Sequence, residues 1–305
     1  MVQNFNTLSL SDLFTAIELD DRNPLDALLK VAKFEDQRTG GDITAAALVP
    51  EAQQAAARLV ARAPGKLCGL ALAPRLISLF DESIQFTDFK ADGDLLAPGD
   101  VLAEFTGPLR SILGLERVLL NFITHLSGIA TLTARYVDTV ADTSAKIYDT
   151  RKTIPGLRTL AKYAVRCGGG FCHRIGLYDA VLVKDNHIAH IPLDELAGQL
   201  TAAFKKARNA SPPPSFIEVE VDTLDQLRVV LSLDADIVLL DNMPPDVLRE
   251  AVTMRNDMNP QAQLEASGGI NLQTVRAAAE SGVDRIAVGA LTHSAPALDV
   301  GLDIT

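Results

Sequence analysis

The chain has 305 residues, 28 Lys and Arg against 39 Asp and Glu, and a formal net charge of −11. That length suits two domains, or one barrel with an appendage, and 48% apolar with 22% charged residues excludes a disordered, collagenous or fibrous-repeat chain. The negative balance excludes a protein whose whole surface binds nucleic acid, because phosphates require a positive field.

Asn23-Pro24 followed by Leu25, Leu28, Leu29 and Ala32 predicts a helix that starts near the proline and stops near Gly40-Gly41. Residues 55–110 carry short apolar runs, Ala57–Ala61 and Val101–Phe105, between the turn pairs Pro64-Gly65, Asp92-Gly93 and Pro98-Gly99. They predict a small α+β region with antiparallel strands. From Leu115 to Val140 the stripe Val118, Leu119, Phe122, Ile123, Leu126 and Ile129 is helical, with a break expected at Ser127-Gly128.

Beyond residue 145, β-rich runs at Lys146–Tyr148, Ala180–Val183, Ile217–Val221, Ile237–Leu240, Gln263–Ala266 and Arg285–Val288 alternate with helical segments at 156–165, 192–208, 223–233, 245–256 and 271–281. Such alternation means βαβ units and a parallel sheet. Charged and Gly residues follow nearly every strand, as in a barrel whose site lies on its C-terminal face; a doubly wound sheet concentrates its site at one switch point. The expected organisation is a sheet domain over 1–128, an α/β barrel over 129–291, and a tail over 292–305 that returns to the N-terminal domain.

Three cysteines, Cys68, Cys167 and Cys172, lack CxxC spacing and read as reduced thiols of a cytosolic protein. Met1–Asn6 has neither a basic n-region nor an apolar h-region, and no run approaches the roughly 18–20 apolar residues that span a bilayer. A cytoplasmic protein without a membrane partner is expected.

Positive charge is concentrated in one place. Between Lys146 and His190, eight Lys and Arg stand against three acids. Arg158, Lys162 and Arg166, at i, i+4 and i+8, read as a solvated helix face. Arg151, Lys152, Arg174 and Lys184 follow strands or sit in a Gly-rich loop, where guanidinium and ammonium groups can converge on anions. Gly168-Gly-Gly170 before His173-Arg174 suggests close backbone approach to an anion. Ser267-Gly268-Gly269 and Gly289-Ala290 follow the last two strands, the usual place for a barrel phosphate site. Glu220 and Asp241 leave neighbouring strands and could hold Mg²⁺ or ribose hydroxyls, or form a salt bridge to Lys184 or Lys152. His187-x-x-His190 has no partner at zinc spacing. Together these residues suit a barrel enzyme that binds a phosphorylated sugar and a polyanionic small molecule, as phosphoribosyl transfer requires.

The run Tyr148-Asp-Thr-Arg-Lys-Thr-Ile-Pro-Gly-Leu-Arg158, continuing through Gly168-Gly-Gly, His173-Arg-x-Gly-Leu and Lys184-Asp-Asn-His187, resembles the quinolinate phosphoribosyltransferase family. The likeness extends to Gly41-Asp42-Ile-Thr44, Glu116-Arg117, Ser127-Gly-Ile-Ala-Thr131, Glu218-Val-Glu220-Val, Leu240-Asp241-Asn242, Ala266-Ser-Gly-Gly269 and Val288-Gly-Ala-Leu-Thr-His293. It implies an incomplete α/β (TIM-like) barrel with an N-terminal α+β open-faced sandwich, and a homodimer or higher homo-oligomer with sites at the subunit interface. The implied substrates are quinolinate and phosphoribosyl pyrophosphate, with Mg²⁺, and the products are nicotinate mononucleotide, CO₂ and pyrophosphate.

On that resemblance Arg151, His173 and Arg174 would hold the two quinolinate carboxylates, with Arg117 reaching in from the partner subunit. Lys152 and Lys184 would face phosphoribosyl pyrophosphate, with Glu220 and Asp241 on its ribose or metal. Ser267, Gly268, Gly269, Gly289 and Ala290 would hold the 5′-phosphate. Thr150, Val288 and His293, in the same motifs, join the substrate-binding set. Cys172 departs from the family's usual Asn before His-Arg, and Val118 from a more common Thr. Two other readings remain: a related phosphoribosyltransferase for another aromatic acid, and a catalytically silent barrel that senses a phosphorylated metabolite.

Overall fold

A computed structural model describes residues 5–18 and 25–305. The expected helix entry at Asn23-Pro24 and most of the opening segment lie outside the described residues; the helix itself runs Leu25–Gln37. Packing divides the chain into two compact units.

The sheet unit comprises Thr7–Ala134, Thr153–Gly169 and Leu291–Thr305. Its strands β1 (Gln54–Ala61), β3 (Gln85–Asp88) and β5 (Val101–Pro108) form an antiparallel sheet, while β2 (Gly65–Lys66) pairs with β4 (Leu95–Leu96). The last strand of the chain, Val300–Ile304, pairs antiparallel with the other edge of β1, Ala61 opposite Val300. Asp42 caps the helix Ile43–Leu48, its Oδ1 accepting the N–H groups of Thr44 and Ala45 at 2.9 Å. The Gly-Asp-Ile-Thr motif is thus an N-cap, which satisfies two of the donors that a helix start leaves open.

The helix Leu109–Thr139 runs unbroken for 31 residues and buries Ile112, Leu115, Leu119, Ile123, Leu126 and Ala130 along one face. The expected break at Ser127-Gly128 does not occur. Ser127 Oγ instead bridges the backbone of Cys68, accepting its N–H at 2.9 Å and donating to its carbonyl at 3.1 Å. A Cβ on Gly128 would stand 2.2 Å from the Pro296 carbonyl oxygen, so this glycine serves close packing. By length and composition the helix could also cross a membrane, contrary to the sequence reading, but 61% of its most apolar window is buried in the protein. Such burial marks a core helix.

Residues 153–169 sit in the sheet unit, so packing does not follow a single cut at 128/129. The cause is the helix Arg158–Cys167, in which Leu160–Val165 are all buried and Lys162 is fully so. Tyr163 stacks 5.3 Å from Phe14 and donates to Asp92 Oδ2 at 3.0 Å. The solvated face expected for Arg158, Lys162 and Arg166 is therefore wrong: a face that docks this closely cannot be left to water. In the run Gly168-Gly-Gly170, read as an anion approach, packing accounts for the first glycine. Gly168 caps this helix, and its Cβ would lie 2.4 Å from the Ala130 carbonyl oxygen.

The barrel unit holds β6 (Lys146–Tyr148), β7 (Val181–Val183), β8 (Ile217–Val221), β9 (Ile237–Asp241), β10 (Gln263–Ser267) and β11 (Arg285–Ala287), in the order β6-β11-β10-β9-β8-β7. All pairs are parallel. Successive strands are neighbours except β6 and β7, which form the two edges, while the first strand pairs with the last. That cyclic order is a barrel left open between β6 and β7, not a sheet wound outward from a central strand. Phe171 forms an isolated parallel bridge with Tyr148 beside the open edge. The final helical segment is only Val275–Ala279, because Asn271 Oδ1 draws the N–H groups of Gln273 and Thr274 into a turn before it.

Candidate active site

Alternation along a strand points every second residue into the barrel. Glu218 on β8 and Glu265 on β10 reach His173, and Arg285 on β11 pairs with Glu265; Glu220 and Ser267 follow two residues after these glutamates on the same strands and Asp241 ends β9, at the C-terminal mouth. The barrel therefore has a charged floor beneath a polar rim.

Thr150, Arg151 and Lys152 leave β6, and Thr150 Oγ1 accepts the Lys152 N–H at 3.0 Å. The His173-Arg174 segment is laid against the same strand: Phe171 N–H donates to Ile147 at 2.8 Å, and Asp149 N–H donates to Phe171 at 3.0 Å. Asp149, fully buried, then accepts the His173 N–H at 2.7 Å. Asp179 takes the N–H groups of Ile175 and Gly176, closing the turn that carries Arg174. These local bonds bring two guanidinium groups, which stand 23 positions apart in the sequence, into one pocket.

Arg174 is buried, and burial together with the nearby positive charge of Arg151 lowers its pKa, with Glu218 and Asp179 pulling the other way. The Nε of Arg151 is buried without a hydrogen-bond partner among the described residues. A buried donor with no acceptor costs about 1–3 kcal/mol. A buried and a half-buried cation held together are what an anion with more than one charged oxygen would satisfy.

Lys184 follows β7 and its Nζ lies 2.9 Å from Oε2 of the nearly buried Glu220. His187 Nδ1 accepts the Lys184 N–H at 2.8 Å, so the histidine of Lys-Asp-Asn-His shapes the turn behind the lysine. Asp241 ends β9 and accepts from Asn242 Nδ2 at 2.7 Å. Asn242 has φ +53°, and Gly268 and Gly269 after β10 have φ +88° and +61°. A Cβ on Gly268 would meet Asn242 Oδ1 at 2.3 Å, so only glycine fits. Val288 N–H donates to Tyr148 at 2.9 Å, placing Gly289 and Ala290 just beyond β11.

Every predicted site residue from Thr150 to Ala290 thus stands at the C-terminal ends of the barrel strands or on the turn beside β6. Arg117 is exposed on the helix Leu109–Thr139, and His293, bonded to Ser294 Oγ at 2.6 Å, ends a short helix; both belong to the sheet unit.

His173, Glu218 and Glu265 offer three ligand atoms within 4.8 Å of one another. Zinc ligands about 2.0–2.1 Å from a tetrahedral ion stand roughly 3.3 Å apart, whereas His173 Nε2 lies 2.8 Å from Glu218 Oε2. Arg285 also already supplies a cation to Glu265 at 2.7 Å. The cluster is built as an ion-pair network.

Matches to known proteins cover this frame. Residues 42–127 match the quinolinate phosphoribosyl transferase N-terminal domain, and residues 129–303 match the C-terminal domain of the same family. The chain belongs to the quinolinate phosphoribosyltransferase family. It is 44% identical over 281 residues to a probable nicotinate-nucleotide pyrophosphorylase [carboxylating] of Bacillus subtilis, covering 92% of this chain and 93% of that one. The corresponding protein of Mycobacterium leprae is 42% identical, over 90% and 95% of the two chains. The solved nicotinate-nucleotide pyrophosphorylase of Francisella tularensis superposes over the full length of both chains, with a TM-score of 0.86 and 37% identity.

For a quinolinate phosphoribosyltransferase fold, the charged floor is what sequence reading missed. Glu218 and Asp149 stood only as parts of motifs, and Glu265, Arg285 and Asp179 were given no role at the site. A charge at an inward strand position, two residues before a rim residue, is the signal that could have found Glu218 and Glu265. Asn6, which bonds the backbone of Cys172, left no sequence signal.

Proposed function

We propose that the protein converts quinolinate and 5-phosphoribosyl 1-pyrophosphate to nicotinate mononucleotide, CO₂ and pyrophosphate, the de novo step into pyridine nucleotides. The observation that carries this reading is the pair of buried Arg174 and half-buried Arg151, with the buried Nε of Arg151 unpartnered among the described residues. Two guanidinium groups suit the adjacent carboxylates of a pyridine dicarboxylate, which each can grip bidentately.

The ring nitrogen attacks the anomeric carbon as the bond to pyrophosphate breaks, and the electron pair leaves with the pyrophosphate. Lys184 and Lys152 are the cations placed to meet that developing charge, with Glu220 holding Lys184 in position. Glu220 and Asp241 line the mouth where an oxocarbenium-like ribose would develop positive charge. Their hard carboxylate oxygens, on neighbouring strands, fit Mg²⁺ arriving with phosphate oxygens; the ion would neutralise the leaving group. Ser267, Gly268, Gly269, Gly289 and Ala290 are assigned to the 5′-phosphate, supported by the left-handed glycines that only an open backbone can supply. Once the ring nitrogen is ribosylated, its positive charge accepts the electrons left when CO₂ departs, and a proton from water completes the ring. Positioning and electrostatics carry the reaction.

The reading includes a homodimer in which Arg117 of one protomer completes the dicarboxylate pocket of the other, and a cytoplasmic location, where three buried thiols stay reduced. The experiment is direct: purified protein with quinolinate, phosphoribosyl pyrophosphate and Mg²⁺ loses quinolinate absorbance and releases pyrophosphate. No turnover under those conditions overturns the reading.

A further inference from the structure

Barrel interiors are filled mainly by Val, Ile and Leu, so the charged floor of this one requires a reason. Glu218 and Glu265 are 0% exposed. Arg285 Nε donates to Glu265 Oε2 at 2.7 Å, and its guanidinium carbon lies 3.7 Å from the Tyr148 ring centroid. His173 Nε2 stands 2.8 Å from Glu218 Oε2 and 3.4 Å from Glu265 Oε1, while Phe216 meets the ring edge-on at 5.5 Å. On the far side of the ring, the Arg174 N–H donates to Nδ1 at 2.7 Å. Asp149 holds the His173 backbone from below.

Both ring nitrogens therefore face protein groups, and only 8% of His173 is exposed. Burial opposes a second proton on the ring while the carboxylates of Glu265 and Glu218 favour one, and the contact at Nδ1 decides between them. The second proton would have to enter at Nδ1, where the Arg174 N–H already points. Two N–H groups cannot face each other at 2.7 Å, so this conformation carries the neutral ring with its proton on Nε2. A partner at one ring nitrogen decides what the other can do.

We propose that Glu218 and Glu265 are positioning residues for the dicarboxylate pocket: they keep His173 protonated at Nε2, which makes Nδ1 the acceptor that fixes the Arg174 backbone and so aims its guanidinium beside Arg151. His173 then acts on the substrate through Arg174, not as a direct ligand. The inference rests on the reading of Arg151 and Arg174 as carboxylate receptors, and it adds a layer beneath them.

The test has two independent readouts. In wild-type protein labelled with ¹⁵N-histidine, long-range ¹H–¹⁵N spectra at pH 7, assigned with His173→Asn among five histidines, are expected to show Nδ1 unprotonated and Nε2 protonated. A doubly protonated or Nδ1–H ring overturns the proposal. In kinetics, Glu218→Leu is expected to raise the KM for quinolinate about tenfold, the scale of losses behind a functional histidine, with the KM for phosphoribosyl pyrophosphate changed less than twofold. Glu218→Gln, which keeps an oxygen facing Nε2, should recover most of that loss. An unchanged quinolinate KM in Glu218→Leu, or equal losses for both substrates, overturns it. If Glu218→Leu does not fold, the wild-type ring spectrum decides. If wild-type protein shows no quinolinate turnover, the proposed function fails while the spectrum still reports the tautomer.

Discussion

The side-chain amide of Asn6 grips the backbone of Cys172 from both sides, donating from Nδ2 to its carbonyl at 2.8 Å and accepting its N–H on Oδ1 at 2.7 Å. The two residues are 166 positions apart. An amide thus reaches this loop from the N-terminal segment. It steadies the backbone that leads directly into His173 and Arg174.

Replacing Asn6 by Ala removes both bonds and leaves the part-buried Cys172 backbone to find other partners. At about 1 kcal/mol net for each bond, Asn6→Ala should cost about 2 kcal/mol in urea unfolding. It should also raise the KM for quinolinate several-fold, with that for phosphoribosyl pyrophosphate nearly unchanged. Equal effects on both substrates would mean that the clamp is merely structural.

Lys184 offers a different balance. Its side chain is 47% exposed, so its pair with Glu220 is screened by water and adds little to stability. Its charge matters where pyrophosphate departs. Lys184→Ala should therefore lower kcat by about 10²-fold with a Tm close to wild type. Rapid-quench measurement of pyrophosphate release checks the rate, and calorimetry checks the fold.

Gly168→Ala separates packing from ligand binding. An added Cβ meets Ala130 O at 2.4 Å and the Thr133 side chain at 2.6 Å. Overpacking of this kind costs about 1–3 kcal/mol. The expected outcome is a lower unfolding midpoint with both KM values within about twofold of wild type. A selective loss of anion affinity would restore the reading of this loop as an anion cradle.

Acid stability carries the mark of Glu265. Burial works against its ionisation, but the Nε2–H of His173 and the guanidinium of Arg285 prevail and hold its carboxyl below the ordinary value of 4.5. A depressed carboxyl pKa stabilises the fold fully above the unfolded-state value and loses that contribution as pH falls through the folded value. The unfolding free energy should therefore fall from about pH 5 toward pH 3, with a shallower slope in Glu265→Gln. That variant also leaves Arg285 buried without its charged partner, at a cost of about 3–5 kcal/mol. Urea titrations across that range check both, and coincident slopes would exclude the pairing.

Much of the barrel was legible in the sequence. Ile217–Val221 is read within its observed bounds because a short β-rich run flanked by turns has few alternatives, and Arg151, Lys184, Glu220 and Asp241 stood out as charges at strand exits. Local patterning determined these elements and the chemistry of their ends. It could not determine what each side chain meets. Gly128 and Gly168 looked like a break and a loop, but each is a point where another backbone passes too close for a Cβ. Lys162, on what reads as a solvated face, is fully buried. Glu218 and Glu265 are 47 positions apart and converge on one imidazole only because β8 and β10 curve around a common axis. The net charge of −11 is an average over the whole chain. Where that charge is buried, paired or left open for an anion depends on contacts between distant segments, which tertiary structure alone decides.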